Sequence, residues 1–297
     1  MLPPAKYLTV NGIRTRYFEA GTGQPLVLCH GGDFNPRTTP SATDWCINFG
    51  RLAERYRVVA FDKLGCGYTD LPEDDADFSM RATLRHGYDF IREMRLENVL
   101  IWGHSRGGLL ALRTAIDHPE VIAKVVVMNS NSSCAEDPVV PRDFYNRVYP
   151  DPDMMGTSDL LRKSVAAISY DVGRPSVRQY IDVKVGEFEE RFGNPAAPPP
   201  SLDRVLALGR TVFLPDVFDV KYETLDLLRR GRLQRPILAV WGFNDPTCPA
   251  KVGNDFFQHV AQRARDAEYY VVNQAGHQPH VDRPEQVEDT VVAFLER

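Results

Sequence analysis

No apolar run in the chain reaches the ~18 residues that a membrane helix requires. The opening residues, Met-Leu-Pro-Pro-Ala-Lys-Tyr, lack the basic start and apolar stretch of a secretory leader, so neither a span nor a leader is expected. Cysteine is scarce and odd in number, with thiols at 29, 46, 66, 134 and 248 and no Cys-x-x-Cys pair. This excludes a disulfide framework and suits reduced thiols in a cytoplasmic protein. A basic excess is missing too. Lys plus Arg is 35 against 40 for Asp plus Glu, a net charge of −5, which argues against nucleic acid as a partner. Internal repeats and low-complexity tracts are also missing. What remains is 43% apolar and 25% charged residues over 297 positions, a globular composition for two domains or one large one.

Short apolar runs at 25–29, 57–61, 99–102, 124–128, 237–241 and 269–272 are continuous rather than alternating. Such runs suit strands buried on both faces of a parallel sheet. Ahead of them, Asn11-Gly12 between β-forming segments predicts a hairpin. Helical patterns at 80–93, 109–117 and 284–296 alternate with the strands, which gives an α/β fold. From 131 to 235 the rhythm changes. Segments 160–170, 177–191, 201–208 and 225–232 read as helices, 195–200 as a stiff proline connector, and no strand run is present.

Gly103-His104-Ser105-Arg106-Gly107 follows one strand directly and precedes a helix. This is G-x-S-x-G in the setting it requires, a sharp turn that lifts a serine hydroxyl above the sheet edge. A serine hydroxyl needs a base to take its proton. Asp245 and His277 follow in the order Ser, Asp, His, each just past a strand, and Asn244 beside Asp245 is neutral and cannot stabilise an imidazolium. Ser105, Asp245 and His277 are therefore the expected triad. His30-Gly31-Gly32-Asp33 also follows a strand. It reads either as a plain Gly-Gly turn or as one half of an oxyanion hole, with the N–H groups of Gly32 and Arg106 as donors.

These segments stand in an order that resembles the α/β-hydrolase superfamily over nearly the whole chain. The carriers are the HGG loop, the 62–70 segment, GHSRGG, WGFNDPTCP and AGHQPH. The resemblance implies an α/β-hydrolase fold, a mostly parallel eight-stranded sheet with helices on both faces and an inserted helical cap. It makes 1–130 and 236–297 the core domain and 131–235 the cap. A serine at 105 argues against the branches with an aspartate nucleophile.

Within the superfamily the chain is most like the meta-cleavage-product hydrolases, which cleave a C–C bond in 2-hydroxy-6-oxo-dienoates from aromatic ring fission. That resemblance implies a small, carboxylate-bearing substrate bound by Gly31, Asn48, His104, Lys184 and Gln278. Lys184 falls where that branch places an arginine on a cap helix, so it is either the reader of the carboxylate or a solvated lysine. His104 and Gln278 stand where the branch has asparagine and tryptophan. The Arg106 side chain either reads an anionic substrate or pairs with a structural carboxylate. An esterase or lactonase, a proline-releasing aminopeptidase and a non-catalytic receptor of the same fold are the alternatives. No cofactor is expected, because Gly65-Cys66-Gly67 lacks a dinucleotide fingerprint. No metal is expected either, since His277-x-x-His280 lacks further ligands. A homo-oligomer stays open.

Overall fold

The computed structural model describes residues 2–34, 39–134, 157–193 and 202–297. The proline connector expected at 195–200 lies outside them. Eight strands form one sheet: β1 (Lys6–Val10), β2 (Ile13–Ala20), β3 (Pro25–Cys29), β4 (Arg57–Phe61), β5 (Val99–His104), β6 (Ile122–Met128), β7 (Ile237–Gly242) and β8 (Ala267–Val272). Their spatial order is β1-β2-β4-β3-β5-β6-β7-β8. The Asn11-Gly12 hairpin joins β1 to β2, which runs antiparallel to both its neighbours, and all pairs from β4 to β8 are parallel. The continuous apolar runs have the meaning the sequence suggested. Leu26 and Leu28 enter the core on one face, and Val27 and Cys29 enter it on the other.

The helices are α1 (Phe49–Leu52), α2 (Met80–Glu93), α3 (Arg106–Asp117), α4 (Ser158–Ile168), α5 (Pro175–Phe192), α6 (Leu202–Leu208), α7 (Leu214–Arg229), α8 (Ala250–Ala261), α9 (Pro279–Asp282) and α10 (Pro284–Leu295). One face of the sheet is covered by α2, α3, α7 and α8, and the other by α1 and α10. Chain order and spatial order diverge at β3. Its successor β4 lies on one side and β5 on the other, so the loops after β3 and β5 leave the sheet in opposite directions. Such a switch point opens a crevice at the carboxyl ends of the strands.

Between β6 and β7 the described residues carry helices and no strand. The expected lid ran to 235, but α7 packs on α2, α3 and α8, and its Val217, Val220, Leu225 and Leu228 join the core of that face. We therefore place α7 in the helical layer and propose a lid that ends near 213. Helices α4 and α5 form a separate apolar cluster with Cys46 and Val281 over the sheet's carboxyl edge.

The lid is fastened by buried charge. Arg16 on β2 holds Asp62 (Nε to Oδ2, 2.6 Å) and Glu187 of α5 (Nη2 to Oε1, 2.6 Å). Lys184, also on α5, lies 2.8 Å from Asp44 and 3.4 Å from Glu187. Burial opposes ionisation of Glu187, but Lys184 and Arg16 outweigh it and hold the carboxyl down at about 2. Burial likewise opposes the charge on Lys184, which Asp44 and Glu187 nevertheless hold above its ordinary range.

Removing one partner of such a cluster strands the others. Lys184→Met is expected to lower stability by about 3–5 kcal/mol, read from the urea midpoint, because Asp44 and Glu187 stay buried without their cation. A second expectation concerns acid. His86 on α2 shares a hydrogen bond with Thr15 on β2 (2.9 Å), and burial lowers its pKa to about 4. Below its ordinary 6.5 the unfolded chain takes up a proton that the folded chain refuses, so this contribution is lost as pH falls toward 4. At pH 5 the loss is about 2 kcal/mol, and in His86→Leu the fall in urea midpoint between pH 7 and pH 5 should shrink accordingly.

Candidate active site

Ser105 sits between β5 and α3 with φ 53° and ψ −124°, a left-handed conformation uncommon outside glycine. Its neighbours make that turn possible. A Cβ on Gly103 would lie 2.0 Å from the Gly107 carbonyl oxygen, and one on Gly107 would lie 2.2 Å from that of Cys29. The helix expected from 109 begins at Arg106, so both following glycines lie inside its first turn.

The structure brings Ser105, His277 and Asp245 together. Ser105 Oγ is 3.2 Å from His277 Nε2, and His277 Nδ1 is 2.7 Å from Asp245 Oδ2. An ionised carboxylate only accepts, so Nδ1 carries the proton and Nε2 is free to accept from the serine. Asp245 is buried and also accepts from Asn129 Nδ2 (2.7 Å), Thr247 N (2.7 Å), Thr247 Oγ1 (2.8 Å) and Cys248 N (2.9 Å). Burial alone would raise its pKa, yet the hydrogen-bonded His277 imidazole, Asn129 and the Cys248 N–H lower it. Asn129 and Thr247 were not singled out from the sequence. Thr247 had a legible signal, since a threonine two residues past an aspartate closes a local turn on it.

The HGG loop is set by its carbonyls. His30 accepts the Lys63 N–H at Nε2 (3.0 Å), so its proton lies on Nδ1, which donates to the Gly31 oxygen (2.7 Å). Burial lowers the His30 pKa well below its ordinary value, so the ring stays a neutral donor-acceptor. Lys63 Nζ donates to the Gly32 oxygen (2.6 Å). In a trans peptide the N–H points opposite the carbonyl, so fixing the Gly31 oxygen on His30 aims the Gly32 N–H the other way. Neither that N–H nor that of Arg106 has an acceptor among the described residues. Gly32 has φ +64°, and a Cβ there would lie 2.5 Å from Pro40.

A cavity of about 300 Å³ opens over Ser105, between this loop and the lid residues Leu161, Val165, Ile168 and Tyr180. Of the expected binding residues, Gly31, His104, Lys184 and Gln278 border it. His104 Nε2 donates to the His277 backbone oxygen (2.8 Å), and burial keeps this ring neutral. Gln278 Nε2 donates to the Tyr180 hydroxyl (2.7 Å), which in turn donates to Asp44 (3.1 Å). Tyr180 and Asp44 are further lining residues that the sequence did not single out.

Two expectations are revised. Lys184 is buried rather than solvated, and its three N–H groups face five acceptors, the Thr39 oxygen, Ser41, Thr43, Asp44 and Glu187, so we propose that it fastens the lid. Asn48 lies away from the cavity and donates to the His280 oxygen (2.8 Å) and to Glu288 (2.6 Å), tying α1 to the C-terminal helices. The Arg106 side chain takes the second of its two options and pairs with Asp33 (2.8 Å).

A larger cavity of about 500 Å³ lies between Arg14, Gly67, Asp70 and Arg191, but the thiol that borders it, Cys66, is pushed up to about 12 by burial. Chemistry, not volume, therefore assigns the site. Among the described residues no His, Cys, Asp and Glu cluster could hold a metal, and no helix is long and apolar enough to cross a membrane.

Comparison with known proteins agrees with this architecture. The chain is 25% identical over 293 residues to 2-hydroxy-6-oxo-6-(2'-aminophenyl)hexa-2,4-dienoic acid hydrolase of Metapseudomonas resinovorans, covering 98% of this chain and 91% of that protein. It is 36% identical to 2-hydroxymuconate semialdehyde hydrolase of Pseudomonas sp. strain CF600 over 119 residues, 40% of this chain and 41% of that one. In fold it is similar to 2-hydroxy-6-oxo-6-phenylhexa-2,4-dienoate hydrolase from Rhodococcus sp. strain RHA1, with a TM-score of 0.74, 19% identity and full coverage of both chains. With the sequence model of the alpha/beta hydrolase family matching residues 26–290, the chain belongs to that family and is a hydrolase.

Proposed function

We propose that Ser105 is the nucleophile of this hydrolase, His277 its general base and acid, and Asp245 the anion that orients and stabilises the imidazolium. The unbroken line from Ser105 Oγ to His277 to Asp245, at 3.2 and 2.7 Å, carries the reading. Attack on a carbonyl carbon moves the serine proton to His277 Nε2 and leaves an oxyanion. The Gly32 and Arg106 N–H groups receive that charge, aided by the positive end of α3. Collapse expels a leaving group, which takes the proton from His277. Water, deprotonated by the same imidazole, then returns the serine and releases a carboxylic acid.

The substrate reading best supported is a C–C bond in a 2-hydroxy-6-oxo-dienoate, on the strength of the relative named as a hydrolase of such a dienoic acid, which aligns over 98% of this chain. Here the leaving group is carbon, so ketonisation of the dienol precedes attack at the C6 carbonyl. A second reading is favoured by one observation. With Lys184 committed to Asp44 and Glu187, no free cation on the lid's α5 faces the cavity among the described residues. An uncharged ester fits that wall as well as a carboxylate does.

Purified protein should bleach a yellow 2-hydroxy-6-oxo-dienoate, and Ser105→Ala should lose on the order of 10⁴-fold or more in rate, since triad members act as a unit. Turnover of p-nitrophenyl acetate without bleaching across several dienoates would replace the C–C reading by the ester one. Retention of both activities in Ser105→Ala would end the nucleophile assignment. Asp245→Asn presents an amide N–H to neighbours that are themselves donors, and should lower kcat by about 10⁴-fold in steady-state assays.

A further inference from the structure

The two N–H groups assigned to the oxyanion hole belong to different loops, which meet at Gly107, where a Cβ would lie 2.2 Å from the Cys29 oxygen, and at Gly31, where one would lie 3.1 Å from the His104 and Ser105 side chains. Asp33 directly follows Gly32, and Arg106 itself carries the second N–H. Their side chains meet, Arg106 Nη1 lying 2.8 Å from Asp33 Oδ2. The guanidinium also lies 5.6 Å from the ring of Phe213, which ends the π-helical turn Gly209–Phe213 at the lid's rim.

Stability does not account for this pair. The Arg106 and Asp33 side chains are 31% and 18% exposed, and pairs of this kind contribute about 0–1 kcal/mol. Helix propensity does not account for it either. A cation in the first turn of α3 opposes the helix dipole, where an acidic or neutral residue would be favoured. Among the described residues the charged partner of this arginine is Asp33, the residue that ends the HGG loop, and the Phe213 ring is its aromatic neighbour. Upstream, the carbonyls of that loop are held by His30 and Lys63, while among the described residues the Asp33 oxygen accepts from the Cys66 thiol (3.3 Å). The carboxylate of Asp33 is thus a side-chain tether from the end of this loop to the serine turn.

We infer that Asp33 and Arg106 are positioning residues, a charge pair that fixes the distance between the Gly32 and Arg106 N–H groups and so preorganises the oxyanion hole. The inference rests on Ser105 being the nucleophile. A loosened pair leaves both donors present but misplaced, so the loss is smaller than the 10²–10³-fold that follows deletion of one donor. It should fall on the transition state and not on substrate binding.

The test uses p-nitrophenyl acetate as substrate and phenylboronic acid as a ligand that forms a tetrahedral adduct with an activated serine. Loss of turnover in Ser105→Ala comes first. If turnover persists there, the nucleophile assignment fails and the pair has no oxyanion to serve. With that established, Arg106→Met and Asp33→Asn should each lower kcat about tenfold, leave KM within about twofold, and weaken phenylboronic acid by a similar factor. Thermal midpoints should stay near that of the parent, and Arg106→Lys, which keeps the cation, should retain kcat within about threefold. Unchanged kcat and boronate affinity in Arg106→Met would overturn the inference, as would an Arg106→Lys variant no better than Arg106→Met. An effect confined to KM for an anionic dienoate would overturn it too, making Arg106 a reader of substrate charge.

Discussion

The site depends on backbones being closer together than side chains allow. At the serine turn, Cβ atoms on Gly103, Gly107 and Gly108 would fall 2.0, 2.2 and 2.6 Å from their nearest neighbours. The contact at Gly107 is with the carbonyl that ends β3, so the turn and the HGG loop are pressed together by the same missing atoms. A second contact of this kind joins the other two loops, since a Cβ on Gly242 would lie 2.0 Å from the Gly276 oxygen. The Ser105 turn and the HGG loop are thus packed backbone on backbone, and so are the Asp245 and His277 loops. The strained φ at Ser105 persists because those contacts over-determine it.

The lid is tied to this surface through the histidine. The Ile168 oxygen, at the end of α4, accepts the His277 N–H at 2.8 Å. Buried Asp282 accepts from both Gly276 N (2.7 Å) and Tyr170 N (3.1 Å), and Arg174 donates to the Gln274 and Asp282 oxygens. On its far side the lid is held by Arg16, Asp62, Glu187, Lys184 and Asp44, two cations among three carboxylates. Burying that many charges contributes less than apolar packing would, but it fixes one register for α5 in a way that an apolar contact does not. The cavity's polar wall, Asp44, Tyr180 and Gln278, follows from that register.

Residues whose role is set by chain punctuation were legible in the sequence. Strand ends, paired glycines and the order Ser, Asp, His single out Ser105, Asp245, His277 and Gly32 as the proposed site, and of these Ser105, His277 and Gly32 line one cavity. Core strands were legible because burial on both faces makes their apolarity continuous. What sequence could not carry was contact between distant elements. Lys184 looks the same in one dimension whether it faces substrate or five buried acceptors, and Asn48, which follows the HGG loop at a distance in sequence, turns to the C-terminal helices. Helix α7 was foreseen only over its last turns, although Pro215 stands at its first turn, where proline suits a helix start. Helix α8 was overlooked although Val252, Phe256 and Val260 recur at a spacing of four along its buried face.

That register also bears on selectivity. Among the described residues the Lys and Arg side chains that line the cavity are already matched, Arg106 by Asp33 at 2.8 Å and Lys184 by Asp44 at the same distance. A substrate carboxylate entering this cavity would meet paired charges, and its attraction to each cation is opposed by the neighbouring carboxylate. Long-range electrostatics therefore favour an anion little over a neutral molecule of the same shape. On the proposed reading, discrimination falls to short-range contacts with the residues that line the cavity, the amide of Gln278, the Tyr180 hydroxyl and the apolar side chains Leu161, Val165 and Ile168. Contacts of that kind sort substrates by shape and hydrogen-bond pattern, and they act on an acyl group whether its leaving group is carbon or oxygen.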